Sequence, residues 1–110
     1  MVSDGRTPAI VEWLLHGQGK DIEALDHIRL RIENGWNIPG SDEEAARFLE
    51  ALAEKGDTDA RILLGLMLEN GIGLASSESD ALEHYMKAAD DGDGFSSMKA
   101  GEICFYLGLA

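Results

Sequence analysis

Residues 56–92 read GDTDARILLGLMLENGIGLASSESDALEHYMKAADDG, and this stretch decides the fold. Its apolar run, Ile62 to Leu68, has Asp57 ahead of it and Asn70-Gly71 behind it. Aspartate is a favoured helix N-cap because its carboxylate accepts from the free N–H groups of the first turn. Glycine ends helices because it takes positive φ without a Cβ penalty. A second helix is predicted from Ser77 to Ala89, with Gly92 beyond it. Between the two, Gly71 and Gly73 supply the backbone freedom for a turn. The stretch therefore predicts a hairpin of two helices.

Shifting the sequence by 36 residues shows that this unit is repeated. Ala24 meets Ala60, Ile28 meets Leu64 and Ile32 meets Leu68. Glu33-Asn34-Gly35 meets Glu69-Asn70-Gly71, Ser41 meets Ser77, Ala45 meets Ala81 and Gly56 meets Gly92. A third copy begins, with Asp93 on Asp57 and Gly101 on Gly65, and then fades. A period of this length signals stacked helical hairpins, each too small to bury its apolar face alone.

The remaining helices are marked by similar punctuation. Thr7-Pro8 predicts an N-cap and first-turn proline for a helix ending at Gly17. A second helix is predicted over Asp21–Glu33. A third starts at Ser41, where Ser41-Asp42-Glu43-Glu44 has the pattern of a capping box, and ends at Lys55-Gly56. The fourth spans Asp57–Glu69, the fifth Ser77–Ala89 and the sixth Phe95–Leu107. Strict apolar alternation persists nowhere, so strands are not expected. The expectation is a single all-α domain, an α-α superhelix of about two and a half repeats. Its parts are a partial N-terminal helix over 7–17, repeats over 20–56 and 57–92, and a partial repeat over 93–110.

These residues resemble the Sel-one-like repeat, a relative of the tetratricopeptide repeat. The resemblance rests on Gly56-Asp57-Thr58-Asp59-Ala60, Leu64-Gly65-Leu66-Met67-Leu68, Asn70-Gly71-Ile72-Gly73-Leu74 and Ala81-Leu82-Glu83-His84-Tyr85-Met86-Lys87-Ala88-Ala89. The family pattern has a tyrosine where Leu68 stands and a tryptophan where His84 stands. Residues 56–92 match it well and residues 20–55 weakly. Arg29 takes the place of the small glycine in the first unit, which implies looser helix contact there. The resemblance implies an adaptor or scaffold that binds protein.

The chemical inventory is thin, and no enzyme is expected. His16, His27 and His84 have no i, i+4 histidine partner for zinc. Ser79-Asp80 with His84 lacks the strained turn of a nucleophile, and no glycine-rich phosphate loop is present. Asp90-Asp91-Gly92-Asp93-Gly94 fails as a calcium loop, because Gly94 at the sixth position leaves Ala89 and Ala100 as first and twelfth. No cofactor or metal is expected. Cys104 is the lone cysteine and reads as a small buried hydrophobe within Ile103-Cys104-Phe105.

Twenty-one acidic residues face nine basic ones, a net charge of −12. Such a surface repels nucleic acid and anionic lipid, and it either attracts a basic protein patch or serves only solubility. No signal peptide is read near Met1, since Asp4 and Arg6 interrupt it, and no run approaches the about 20 apolar residues of a membrane span. A cytoplasmic, bacterial protein is the expectation, with one specific partner. A basic toxin held by an immunity protein is one form of it. A secretion chaperone or a self-assembling fragment of a longer repeat protein is the alternative.

In tetratricopeptide-like hairpins the first helix lines the concave face. In that register Asp59, Ile62, Leu66 and Glu69 share one helical face, three or four residues apart. The same offsets give Glu23, Asp26, Leu30 and Glu33 in the first unit, and Phe95, Met98, Glu102 and Phe105 in the third. The stripe predicts a groove acidic at both ends and apolar between, suited to a helix or strand with basic flanks; the alternative is that Leu30, Ile62 and Leu66 pack under neighbouring helices and the acids are only solvated. It lacks the basic cluster that would clamp a C-terminal carboxylate. The last segment, from Met98 through Ile103, Phe105, Tyr106 and Leu107 to Leu109, is apolar on more than one face. That surface is expected to fold back, to form a homodimer, or to meet a partner.

Overall fold

A computed structural model describes residues 7–108, which form an all-α chain of helical hairpins. The helices are α1 (Ala9–His16), α2 (Asp26–Glu33), α3 (Asp42–Glu54), α4 (Thr58–Asn70), α5 (Glu78–Asp90) and α6 (Gly94–Leu107). Leu109, the residues before Thr7, and the last two residues of the partial repeat lie outside the described residues.

The centre of the fold is α4. Every residue from Ile62 to Leu68 is buried, because α3 packs on one side, α5 on the other, and α1 also reaches it. A helix apolar all round can exist only where neighbours surround it. Each fully buried leucine there contributes about 1.5–3 kcal/mol. The closest pairings are sequential, α3 with α4, α4 with α5, and α5 with α6. Between α2 and α3 the approach is less close, in keeping with Arg29 in place of a small residue.

Gly65 is where α4 and α5 meet. A Cβ built on it would lie 2.6 Å from two ring carbons of Tyr85, so only glycine fits beneath that ring. Tyr85 is fully buried and packs edge-on against Phe95 of α6. Gly73 (φ +72°) brings the α4–α5 turn onto the start of α3, where an added Cβ would fall 2.4 Å from the Asp42 carbonyl oxygen.

The 36-residue repeat is also visible in the backbone hydrogen bonds. The Gly56 N–H donates to the Ala53 carbonyl at 2.9 Å, and Gly92 to Ala89 at the same distance. Asp57 donates to Leu52 at 3.1 Å, and Asp93 to Ala88 at 3.2 Å. Trp36 donates to Arg31 and Ile72 to Met67, again 36 residues apart. The caps repeat as well. Ser41 and Ser77 accept from the N–H groups of Glu44 and Asp80, and Asp57 and Asp93 from those of Ala60 and Ser96. The capping box at Ser41 is complete, with the Glu44 carboxylate accepting from the Ser41 N–H.

Three local expectations are corrected. The predicted helix Asp21–Glu33 is broken into two short 3-10 turns, Gln18–Asp21 and Glu23–Leu25, before α2 begins at Asp26. Ile22 stands between them with extended backbone (φ −105°, ψ 102°), which turns its half-buried side chain toward the core. The helix after Thr7-Pro8 begins at Ala9, with Pro8 itself at the cap position. Its first N–H is satisfied from elsewhere in the chain, as Asp42 Oδ1 accepts from the Ala9 N–H at 2.7 Å. Cys104 is half-buried rather than fully buried.

Candidate functional site

The predicted stripe divides into three fates. Its central apolar members are core: Ile62 is fully buried, and Leu66 and Phe95 are buried. The expectation of an open concave face fails there because α1 and the segment after it roof that side of α4. Trp13 of α1 lies close against Gly19, where an added Cβ would meet its ring at 2.7 Å.

What remains is a narrower groove of about 400 Å³. Trp13, Gln18 and Ile22 form one wall, Leu66 and Glu69 the floor, and Phe95, Met98, Lys99 and Glu102 of α6 the other wall. Five stripe residues thus come together here: Leu66, Glu69, Phe95, Met98 and Glu102. Glu69 is tied down, accepting from the Tyr85 hydroxyl at 2.6 Å and pairing with Lys99 Nζ at 3.0 Å. Burial first, and then the Glu69 carboxylate, push the Tyr85 phenol far above its ordinary value, so it remains a donor. Lys99 also lies 3.6 Å from Glu102. Two carboxylates and one ammonium leave this rim with an excess of one negative charge.

The second group of stripe residues is committed to holding the fold. Asp59 receives His27 Nε2 and Arg31 Nη1, each at 2.9 Å. Arg31 also forms a two-pronged pair with Asp57, at 2.8 and 3.1 Å, and its guanidinium sits 3.7 Å from the Trp36 ring centroid. Asp57 is thereby both the N-cap of α4 and the anchor of α2. Burial raises the Asp57 carboxyl, but hydrogen bonds from Arg31 and the Ala60 N–H outweigh it and hold the group below the ordinary carboxylate value. Asp59 is therefore corrected from groove acid to intramolecular clamp, since its oxygens are already engaged.

The third group lies outside the groove. Glu23, Asp26, Leu30 and Glu33 are exposed on α2 or the turn before it, and Asp26 pairs with Arg29. Leu30 is 57% exposed. Phe105, 76% exposed, sits beyond the groove near the end of α6.

Several residues of the groove and of the α2–α4 ion pairs escaped the sequence reading. Trp13, Gln18 and Ile22 belong to a segment whose register no repeat fixes. Arg31 had a usable signal, since the 36-residue shift puts it on the buried Met67. A charge at a core position of a repeat must be paired there.

A second cavity, about 520 Å³, is lined by Glu50, Ala53 and Glu54 of α3, Arg61 of α4, and His84 and Lys87 of α5. Arg61 is held by the Ala53 carbonyl at 3.0 Å and by Asp91 at 3.4 Å. His84 Nδ1 is buried without a hydrogen-bond partner. Burial, then the charges of Lys87 and Arg61, lower its pKa, with Glu83 and Glu50 opposing. Ser79 is not in this lining, so Ser79, Asp80 and His84 do not share the cavity. Among the described residues no group of three or more His, Cys, Asp or Glu is placed to hold a metal. No helix among them is long and apolar enough to cross a membrane.

No protein-family model matches the chain, and no solved structure matches it. The chain is similar to chitin synthase regulatory factor 3 of Schizosaccharomyces pombe (strain 972 / ATCC 24843), with 36% identity over 66 residues. That alignment covers 54% of this chain and 7% of the length of that protein.

Proposed function

We propose that this chain is a Sel-one-like, tetratricopeptide-related repeat module that binds a segment of another protein in the groove between α1, α4 and α6. The observation that carries the reading is the groove itself. Leu66 gives it an apolar floor, Trp13 on one side and Phe95 and Met98 on the other give it large side walls, and Glu69, Lys99 and Glu102 supply its polar contacts. Aromatic and methionine side chains around a few placed polar groups are the composition of a peptide-binding surface. The relative matched over part of the chain is named a regulatory factor, and a binding role accords with that name.

The net charge of −12 favours a basic partner. In its finer form the module is a small cytoplasmic inhibitor of one basic protein, such as an immunity protein facing a toxin.

The test is a selection from a displayed random-peptide library, followed by affinity measurements on the enriched peptides. Enriched sequences should carry an apolar centre between Lys or Arg flanks and bind more weakly as salt rises. The pair Gln18→Lys and Glu102→Lys puts repelling charges on opposite walls and should weaken binding by about tenfold or more. Enriched peptides that bind the double variant as well as they bind the original chain would overturn the groove reading.

A further inference from the structure

The more sheltered carboxylate of the groove is already occupied by the chain itself. Lys99 Nζ lies 3.0 Å from Glu69 Oε1 and 3.6 Å from Glu102 Oε1. The repeat has Leu63 at the place of Lys99, fully buried, so a charge there departs from the pattern and needs a partner. The three groups differ in their freedom. The Glu69 side chain is 18% exposed, and the hydroxyl of buried Tyr85, at 2.6 Å, holds it in place. Glu102 is 52% exposed, where an ion pair is worth little. Lys99 carries its ammonium on a flexible four-carbon stem, and Glu102 offers it a second seat when it leaves the first. Glu69 is therefore the preformed acceptor of the groove, and the ammonium that covers it is the part that moves.

We infer that Lys99 is an internal competitor for the cation that a bound protein segment places on Glu69. This role rests on the groove being the binding site, and it adds what that site selects. An arginine or lysine of the guest takes the Glu69 carboxylate, and the Lys99 ammonium withdraws to Glu102. Two carboxylates then face two cations, where the groove by itself carries one negative charge in excess. A neutral segment cannot make this exchange, and for such a segment the ammonium stays on Glu69, on the same wall as Phe95 and Met98. Selectivity for a basic guest thus comes from replacing one cation by another. It lowers the affinity, because only the fraction of molecules in which Lys99 has left Glu69 can accept the guest. An ammonium seated there about nine-tenths of the time weakens binding about tenfold. Its removal leaves Glu69 without a counter-charge in a partly sheltered site, where attraction for a guest cation is stronger than in open water.

The experiment titrates the full chain with two short peptides, acetyl-Leu-Phe-Arg amide and the same peptide carrying citrulline, the uncharged isostere of arginine. Binding is followed by NMR at the indole N–H of Trp13, on the wall opposite Lys99. Lys99→Met keeps the length of the side chain and removes its charge. It should bind the arginine peptide about tenfold or more tightly than the parent chain does, and the citrulline peptide no more tightly. Lys99→Gln, a second neutral variant with a different packing demand, should repeat the gain, and Lys99→Arg, which keeps the competing charge, should bind like the parent. Circular dichroism monitors the fold of each variant. Unchanged or weaker binding of the arginine peptide to both neutral variants, with Trp13 still responding, would overturn the competition and leave the groove reading standing. An equal gain for the citrulline peptide would make Lys99 a plain obstruction and overturn it too. No response of Trp13 to either peptide, in the parent or in any variant, would overturn both the competition and the groove.

Discussion

Alanine at Gly65 and alanine at Gly101 are the same substitution at equivalent positions of successive repeats, and they should act in opposite directions. In both helices alanine gains about 1 kcal/mol over glycine from propensity alone. At Gly101 nothing lies within 4 Å of the new Cβ, so that gain is the whole effect. At Gly65 the Cβ arrives 2.6 Å from Tyr85 Cε1 and Cζ and 3.0 Å from Cδ1, against the about 3.5–4.0 Å at which carbons rest. Tyr85 has little room to yield. Its hydroxyl is bonded to Glu69, its ring lies edge-on to Phe95, and it is fully buried. Overpacking of this kind costs about 1–3 kcal/mol. The two variants should therefore differ by about that amount, with Gly101→Ala above the parent and Gly65→Ala at or below it. Urea denaturation at low protein concentration measures both, and the gap corresponds to at least about 4 °C in Tm. Equal stabilisation by both substitutions would refute the close α4–α5 contact.

Two further expectations concern pH. Arg31 and the Ala60 N–H hold Asp57 below the ordinary carboxylate value of 3.8 in the folded chain, so its contribution is complete above that value and is lost as pH falls through the folded one. Asp57→Asn should lower the urea midpoint at neutral pH, and the difference from the parent should close below about pH 4. His84 is also depressed, from 6.5, because burial and two neighbouring cations disfavour its charged form. The unfolded chain takes up that proton more readily, so stability falls as pH drops below the unfolded value. His84→Phe should flatten the loss between about pH 7 and about pH 5.5 seen in chemical denaturation of the parent.

The helices and their ends were legible because glycine and cap residues act locally. Asn70-Gly71, Asp57 and Ser41 do in the structure what their chemistry requires anywhere. The start of α1 was not, because its first N–H is satisfied by Asp42, which is distant in sequence. The break at Ile22 was missed for a similar reason, as its side chain follows the core and not the helical period. The groove was half legible. Leu66, Glu69, Phe95, Met98 and Glu102, which the helical register put on one face, line one groove in the structure. The register assigned Ile62 and Asp59 to the same surface, because nothing in the repeat announces that α1 covers α4 or that Arg31 reaches across to Asp59.

The attachment of α2 has a dynamic consequence. This helix contributes one fully buried side chain, Ile28, with Ile32 packed partly against the core, and it is tied to α4 by Arg31 and His27 on Asp57 and Asp59. Apolar contacts survive added salt, whereas partly exposed ion pairs weaken with it. Residues 26–33 should therefore open at a free energy below that of global unfolding, read as weaker amide exchange protection there than in α4. Ionic strength sets how often they do so, while the α4–α5 hairpin, closed around Gly65 and Tyr85, opens only when the whole chain unfolds.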